Sequence, residues 1–96
     1  MSAQARRAGC RHFVVLWRAN GLTDSRLGIT VTRRVAGAVG RNRLKRLVRE
    51  AFRTAGPHLP PGLDLVVIAK PGATELNGRQ AARELWRLWR SLSPGA

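Results

Sequence analysis

The segment GRNRLKRLVREAFR, residues 40–53, has the side chains best suited to chemistry in this sequence, and that chemistry is the binding of anions. Its six basic side chains are those of Arg41, Arg43, Lys45, Arg46, Arg49 and Arg53. Guanidinium and ammonium groups pair with phosphate and carboxylate oxygens, and arginine does so with two parallel hydrogen bonds. Three interpretations are open: a solvated helix face, a disordered basic tail, or a surface that binds a polyanion.

Composition favours a polyanion as the partner. The chain of 96 residues is sized for one domain and has 18 basic side chains against 5 acidic ones, which gives a net charge of +13. A compact domain with that charge repels itself and is typical of proteins that bind nucleic acid, with an anionic membrane surface as the second candidate. Sixteen of the basic residues are arginine, which suits RNA, although GC-biased codons account for part of that excess. The apolar fraction of 44% argues against full disorder.

These basic side chains must be positioned by secondary structure, and the sequence predicts a helix over residues 38–54. Its apolar residues recur at the spacing of a core-facing stripe, and the basic residues fall almost opposite. The apolar residues of this stripe are Leu44, Leu47, Val48, Ala51 and Phe52. This regularity excludes the disordered tail. A solvated face normally interleaves acids, but Glu50 is the only acid among residues 25–63, and like charges four residues apart cost helix stability. The pattern therefore favours phosphate binding.

Three strands and a second helix are predicted around this helix. Residues 12–18 and 26–35 read as the arms of an antiparallel hairpin joined by the turn sequence ANGLTDS. Residues 63–70, LDLVVIAK, form a nearly continuous apolar run, which predicts a strand buried on both faces and closing a β-α-β unit. Residues 78–92 form an amphipathic helix that Asn77 caps. Four arginines take its remaining surface: Arg79, Arg83, Arg87 and Arg90.

Residues 26–53, RLGITVTRRVAGAVGRNRLKRLVREAFR, resemble the signature region of the bacterial ribonuclease P protein subunit. The shared pattern is Arg-Leu-Gly, a basic pair, Ala-Val-x-Arg-Asn-Arg-x-Lys-Arg-x-x-Arg-Glu and Phe-Arg. The matching residues are Arg26, Leu27, Gly28, Arg33, Arg34, Ala38, Val39, Arg41, Asn42, Arg43, Lys45, Arg46, Arg49, Glu50, Phe52 and Arg53. Many positions at fixed spacing make the pattern specific, and the flanking elements extend the resemblance to about residues 6–92.

The resemblance implies one α+β domain over residues 1–96. Its fold is a two-layer α/β sandwich with a mostly antiparallel sheet, a β-α-β crossover that is left-handed in the family, and a C-terminal helix. The implied function is that of the protein partner of a catalytic RNA, the ribonuclease P RNA, which removes the 5′ leader from precursor transfer RNA. The RNA performs the hydrolysis with bound Mg²⁺, and the protein binds that RNA and the leader. No cofactor held by the protein alone, no protein partner and no membrane are implied.

The resemblance also assigns site residues. The RNA-binding group comprises Arg33, Arg34, Arg41, Asn42, Arg43, Lys45, Arg46, Arg49 and Arg53. The arginines and the lysine would neutralise phosphates, and the Asn42 amide would bond the backbone or a 2′-hydroxyl. The leader cleft of the family uses one sheet face near the first long strand, where Phe13, Val15 and Trp17 supply apolar contact. Because strand alternation does not say which face is open, the same three side chains fit the core equally well.

One feature of the family is not found here. Family members begin with a helix carrying an Arg-Leu…Phe pattern before the first long strand, and residues 1–5 are too few to hold it. We therefore expect that helix to be absent or truncated, which weakens the expected leader contact but leaves the basic helix intact.

Catalytic motifs are missing from the sequence. The five acids are scattered, neither His12 nor His58 belongs to a catalytic pattern, and no phosphate-binding glycine loop occurs. A single cysteine, Cys10, excludes an intramolecular disulfide and favours a reducing, cytoplasmic setting. We expect the protein alone to be inert. The alternatives are a small ribosome-associated or general RNA-binding protein and, more weakly, a helix-turn-helix transcription factor.

Overall fold

Four strands and two helices make up the fold in the computed structural model, which describes residues 5–92. The strands are β1 (Arg6–Gly9), β2 (Phe13–Ala19), β3 (Arg26–Thr30) and β4 (Leu63–Ala69). The helices are α1 (Ala38–Arg53) and α2 (Gly78–Arg90), each preceded in the chain by a strand. Residues 1–4, where the expected truncated N-terminal helix falls, lie outside the described part of the chain.

The sheet has the strand order β1-β2-β4-β3. β1 pairs antiparallel with β2, and β2 pairs antiparallel with β4 over its whole length, from Phe13 opposite Ala69 to Ala19 opposite Leu63. β3 pairs parallel with β4, and α1 connects these two strands, so the predicted β-α-β unit is present. The fold class predicted from the resemblance, an α+β sandwich with a mostly antiparallel sheet and a C-terminal helix, is confirmed.

The predicted hairpin between residues 12–18 and 26–35 is wrong, because β4 lies between β2 and β3. The turn residues lead the chain across the start of β4. The main-chain nitrogen of Asn20 donates to the carbonyl of Gly62 at 2.9 Å, and its side-chain oxygen accepts from the nitrogen of Leu22 at 2.7 Å. Turn chemistry marks a change of direction, but it does not say whether the next strand pairs with the previous one.

β4 is buried on one face only, which corrects the prediction that both of its faces are buried. Leu63, Leu65, Val67 and Ala69 are buried, whereas the alternating side chains are partly exposed. Because neighbouring residues in a strand point to opposite faces, one face of the sheet carries the core and the other remains open. The core face is covered by the helices.

Both helices bury an apolar stripe against the sheet and against each other. Leu44, Val48 and Ala51 are the buried residues of α1, and α2 buries Leu85 and Trp89 among others. α2 begins at the predicted cap, where Asn77 and Gln80 exchange hydrogen bonds between side chain and main chain at 2.8 and 2.9 Å. Within residues 5–92, neither helix is long and apolar enough to cross a membrane.

Candidate nucleic-acid interface

The outer face of α1 presents a row of basic and polar side chains to solvent, and these side chains differ in how exposed they are. The buried stripe fixes the rotation of this helix, so the residues opposite the stripe must face outward. Asn42, Arg46 and Arg49 are exposed, and Lys45 is half-buried beside them. No acidic residue lies in the first turn of the helix. The positive N-terminal end of the helix dipole therefore adds to the positive charge of the side chains.

The basic pair Arg33 and Arg34 lies in the turn just ahead of α1, and both side chains are exposed. The turn is closed by hydrogen bonds from the nitrogens of Val35 and Ala36 to the carbonyl of Thr32, at 3.1 and 3.4 Å. The guanidinium of Arg41 donates to the carbonyl of Ala36 at 3.1 Å and so ties the helix to this turn. The pair is thereby held next to the beginning of the basic row.

Arg43 differs from the other basic residues of α1, because its guanidinium is used inside the protein. It donates to the carbonyl of Thr74 at 3.2 Å and to that of Leu76 at 2.5 Å, in the segment that precedes α2. These two hydrogen bonds use two of the five N–H donors of Arg43 and hold its guanidinium against the segment before α2. Because its guanidinium is held there, we expect Arg43 to join α1 to the chain that leads into α2 and to contribute less to RNA binding than the exposed Arg46 and Arg49.

Arg53 is also engaged, but at the exposed end of α1. Its guanidinium forms an ion pair with Glu50, one turn earlier in the helix. The hydrogen bond from Arg53 lowers the pKa of the Glu50 carboxyl below its ordinary value, so this carboxylate stays ionised. The pair cancels the one acidic charge on the helix and leaves Lys45, Arg46 and Arg49 without a neutralising partner among the described residues.

A groove of about 360 Å³ runs between α1 and β3, the edge strand of the sheet. Leu27, Ile29 and Phe52 form its apolar floor, and Lys45 and Arg49 form its basic wall. An apolar floor beside cations suits a nucleotide, whose base is apolar on its faces and whose phosphate is anionic. The groove thus extends the basic row of α1 onto the edge of the sheet.

The three side chains expected to contact the leader lie in the core instead. Phe13 and Val15 are 0% exposed and Trp17 is 8% exposed, all under the helices. The expectation that they touch RNA is therefore wrong. Both faces of β2 are apolar over residues 13–17, so those residues alone could not identify the open face.

The open face of the sheet carries a different apolar group, which sequence reasoning missed. Leu16, Val66 and Ile68 are partly exposed there, with Val14 beside them. The sequence contained a signal for this face. In β2 and β4 every second residue lies on the open face, and this set includes the charged residues Arg18 and Asp64, whereas the set on the core face includes Ala19 and Leu63. Charged residues that share a face with apolar ones mark the side that meets water.

Cations lie at both ends of this apolar group. Arg26 forms two hydrogen bonds with the Asp64 carboxylate, at 2.8 and 2.9 Å, and Arg18 lies 3.8 Å from the same group. The hydrogen bond from Arg26 lowers the pKa of Asp64, which keeps the carboxylate ionised. Lys70 donates to the carbonyl of Cys10 at 2.6 Å near the other end of the face. The open face therefore has an apolar centre and a predominantly basic rim.

A third group of polar side chains joins the β1–β2 turn to α2. The carboxylate of Glu84 accepts hydrogen bonds from His12 and from the Cys10 thiol, the latter at 3.3 Å. Sequence reasoning treated these residues as scattered, because they lie far apart along the chain. Within residues 5–92, no group of three or more His, Cys, Asp and Glu side chains is placed to hold a metal ion.

Comparisons with known proteins return one family. The family model described as Ribonuclease P matches residues 1–93. The ribonuclease P protein component of Aliivibrio fischeri is 47% identical over 91 residues, which are 94% of this chain and 77% of the relative. A solved structure of the RNase P protein from Thermotoga maritima has a TM-score of 0.87 and 36% identity, covering 94% of this chain and 86% of that one. The RNase P protein of Staphylococcus aureus has a TM-score of 0.79 and 31% identity, with 88% and 78% covered.

Proposed function

Because the chain belongs to the ribonuclease P protein family and is the protein component of that endoribonuclease, we propose that α1 binds the catalytic RNA and the open sheet face contacts the leader. The RNA-binding group comprises Arg33, Arg34, Arg41, Asn42, Lys45, Arg46, Arg49 and Arg53. Membership of the family gives the chain an RNA partner. The geometry of the two surfaces supports the proposal that each of them has its own contact.

The uncompensated charge on the outer face of α1 is the observation that carries this proposal. Lys45, Arg46 and Arg49 have no ion-pair partner among residues 5–92, and like charges repel along the helix. Phosphates would relieve that repulsion and release their counterions on contact with the side chains. Asn42 donates and accepts hydrogen bonds, which suits a sugar hydroxyl next to the phosphates.

The open sheet face supports the second half of the proposal, contact with the 5′ leader of precursor transfer RNA. Leu16, Val66 and Ile68 offer an apolar floor to ribose and base, and the rim cations meet the phosphates on either side. No base-specific donor pattern is required for this mode of binding. The proposal is therefore that the leader is held largely through its backbone and base faces.

The chemistry of cleavage belongs to the RNA subunit in this proposal. The RNA performs the hydrolysis with bound Mg²⁺, and the protein alone is inert and binds no cofactor. The protein contributes by holding RNA and substrate together and lowering the Mg²⁺ concentration that the complex requires. A cytoplasmic setting fits the single reduced cysteine, Cys10.

Reconstitution tests the proposal. The protein is mixed with the ribonuclease P RNA of the same organism and a 5′-labelled precursor transfer RNA at low Mg²⁺, and release of the leader is followed. We expect faster cleavage with the protein than with the RNA alone, and no cleavage by the protein alone. The variant R46Q/R49Q should lose most of the gain, whereas R6Q/R11Q, which removes equal charge from exposed positions on and beside β1, should keep it. Equal cleavage with and without protein, with intact RNA, contradicts the proposal.

A further inference from the structure

We propose that α2 carries a second RNA-binding surface, formed by its outward arginines, which binds the phosphates of a second backbone segment of the RNA subunit. This surface, the α2 arginine row, consists of Arg79, Arg83, Arg87 and Arg90. The inference rests on the proposed function, because it takes the RNA subunit as the partner. It adds a surface on a different helix from the one that carries the family pattern.

The four guanidinium groups share one strip of the helix surface. At 3.6 residues per turn they fall within an arc of about 80°, and they span roughly 16 Å along the helix axis. All four are exposed. The buried residues of the helix, which include Ala81, Leu85 and Trp89, lie on the opposite side against the core. The row is therefore the outermost surface of α2.

No acidic side chain among residues 5–92 neutralises the row. The only acid in α2, Glu84, already accepts hydrogen bonds from His12 and lies to one side of the strip. Within the same described range, none of the four arginines forms an ion pair. Arg79, Arg83 and Arg87 follow one another at intervals of four residues, where like charges cost helix stability. The row thus has the same uncompensated electrostatics as the outer face of α1.

The helix that presents the row is firmly held. The Trp86 indole donates to the carbonyl of Ala51 in α1 at 2.9 Å, and the same ring stacks on His58 with a centroid distance of 5.0 Å. The Asn77 capping box fixes the first turn. A row on a fixed helix loses less conformational freedom on binding than one on a loop, so more of the electrostatic attraction remains as affinity.

Charge alone would also suit an anionic membrane, but the structure of α2 argues against it. A helix that lies on a membrane inserts its apolar face between the lipids. The apolar residues of α2 are committed to the core, with Leu85 and Trp89 0% exposed. Only the cations remain for a partner, and phosphates of the RNA subunit, which membership of the family already supplies, match such a surface.

The salt dependence of RNA affinity tests the row. The dissociation constant of the RNA subunit is measured over a range of salt concentrations for the natural protein, R83Q/R87Q and R83K/R87K. We expect R83Q/R87Q to flatten the logarithmic salt slope by roughly 0.7–0.9 for each phosphate that is no longer neutralised, and to weaken binding about fivefold to tenfold per phosphate at about 0.1 M salt. R83K/R87K keeps the charges and should keep the slope. The glutamine variant removes like-charge repulsion, so its fold should be retained, which circular dichroism checks.

Two control variants separate this inference from the function on which it rests. R46Q/R49Q should flatten the slope through α1, and R6Q/R11Q should leave it unchanged. A flattened slope for R46Q/R49Q together with an unchanged slope for R83Q/R87Q would overturn the α2 arginine row and leave the proposed function standing. No change for either would count against both. If R83Q/R87Q weakened binding to phosphatidylglycerol vesicles and not to RNA, the row would be a membrane contact and the inference would be wrong.

Discussion

The carboxylate of Glu84 lies 3.0 Å from the main-chain nitrogen and 2.8 Å from Nδ1 of His12, so one side chain of α2 holds both the main chain and the side chain of a residue in the β1–β2 turn. The two residues are 72 positions apart in the sequence. Cys10 adds its thiol to the same carboxylate at 3.3 Å. These hydrogen bonds join the N-terminal strand pair to the helix layer.

Replacing Glu84 by alanine should destabilise the protein, because the main-chain nitrogen of His12 would lose its acceptor in a partly buried place. We expect the free energy of unfolding to fall by about 1–3 kcal/mol, which is the usual cost of leaving a buried donor without an acceptor. Urea unfolding measures it. E75A removes the same charge from an exposed position that forms no ion pair within residues 5–92, and it is the matched control. Equal destabilisation by the two substitutions would show that the His12 hydrogen bonds contribute nothing.

The same carboxylate makes stability depend on pH. Burial raises the pKa of Glu84, but the hydrogen bonds from His12 and Cys10 outweigh it and bring the pKa below the ordinary value of 4.5. A group whose pKa is lower in the folded state stabilises the fold above its unfolded pKa, and this contribution is lost as pH falls through the folded pKa. The stability difference between the natural protein and E84Q should therefore shrink as pH falls below about 4.5. Unfolding curves between about pH 6 and pH 3 measure it, and a constant difference would contradict the argument.

Arg43 and Arg46 should behave in opposite ways although both belong to the basic pattern of α1. R43A removes the donors to Thr74 and Leu76, so we expect a loss of about 1–3 kcal/mol in unfolding free energy and little change in the salt slope of RNA binding. R46A should leave stability within about 0.5 kcal/mol and flatten that slope by roughly 0.7–0.9, and R49A should do the same. Thermal unfolding and salt-dependent RNA binding, measured on the same three proteins, separate the two roles. A flattened slope for R43A at full stability would return this residue to the RNA-binding group.

The helices could be predicted from sequence because each one has a clear period of its own. The apolar stripe of α1 repeats over four turns, and the structure places that helix at Ala38–Arg53 against a prediction of 38–54. The cap of α2 was predicted from Asn77 because capping is a local interaction between neighbours in sequence. Features that depend on residues within one or two helical turns of each other could therefore be predicted from the sequence.

Pairing between distant segments could not be predicted from the sequence. The turn at residues 19–25 predicted a hairpin between β2 and β3, yet the strand between them is β4, which begins 43 residues after Asn20. The role of Arg43 was missed for a similar reason, since its acceptors lie more than thirty positions further along the chain. The strand β1 was missed because its sequence, RRAG, has no apolar alternation, and it is held by pairing with β2 and not by its own propensity. Sheet order and long-range hydrogen bonds are set by the whole chain.

The open sheet face provides the last prediction. L16T/V66T makes its apolar centre polar with side chains that are β-branched, so the strands should persist and the affinity for an apolar partner should fall. We expect the holoenzyme to bind precursor transfer RNA about fivefold to thirtyfold more weakly, which corresponds to a loss of about 1–2 kcal/mol from the two altered side chains. Binding of mature transfer RNA, which has no leader, should not change, and neither should binding of the protein to the RNA subunit.

L22T is the matched control, because Leu22 is a 54% exposed apolar residue in the loop outside the sheet. It should leave the affinity for both transfer RNAs unchanged. The comparison of precursor with mature transfer RNA distinguishes a weakened leader interaction from a general defect, since a misfolded protein would weaken both complexes. Equal weakening of the two complexes by L16T/V66T, or a precursor affinity equal to that of the natural protein, would show that the leader does not contact this face.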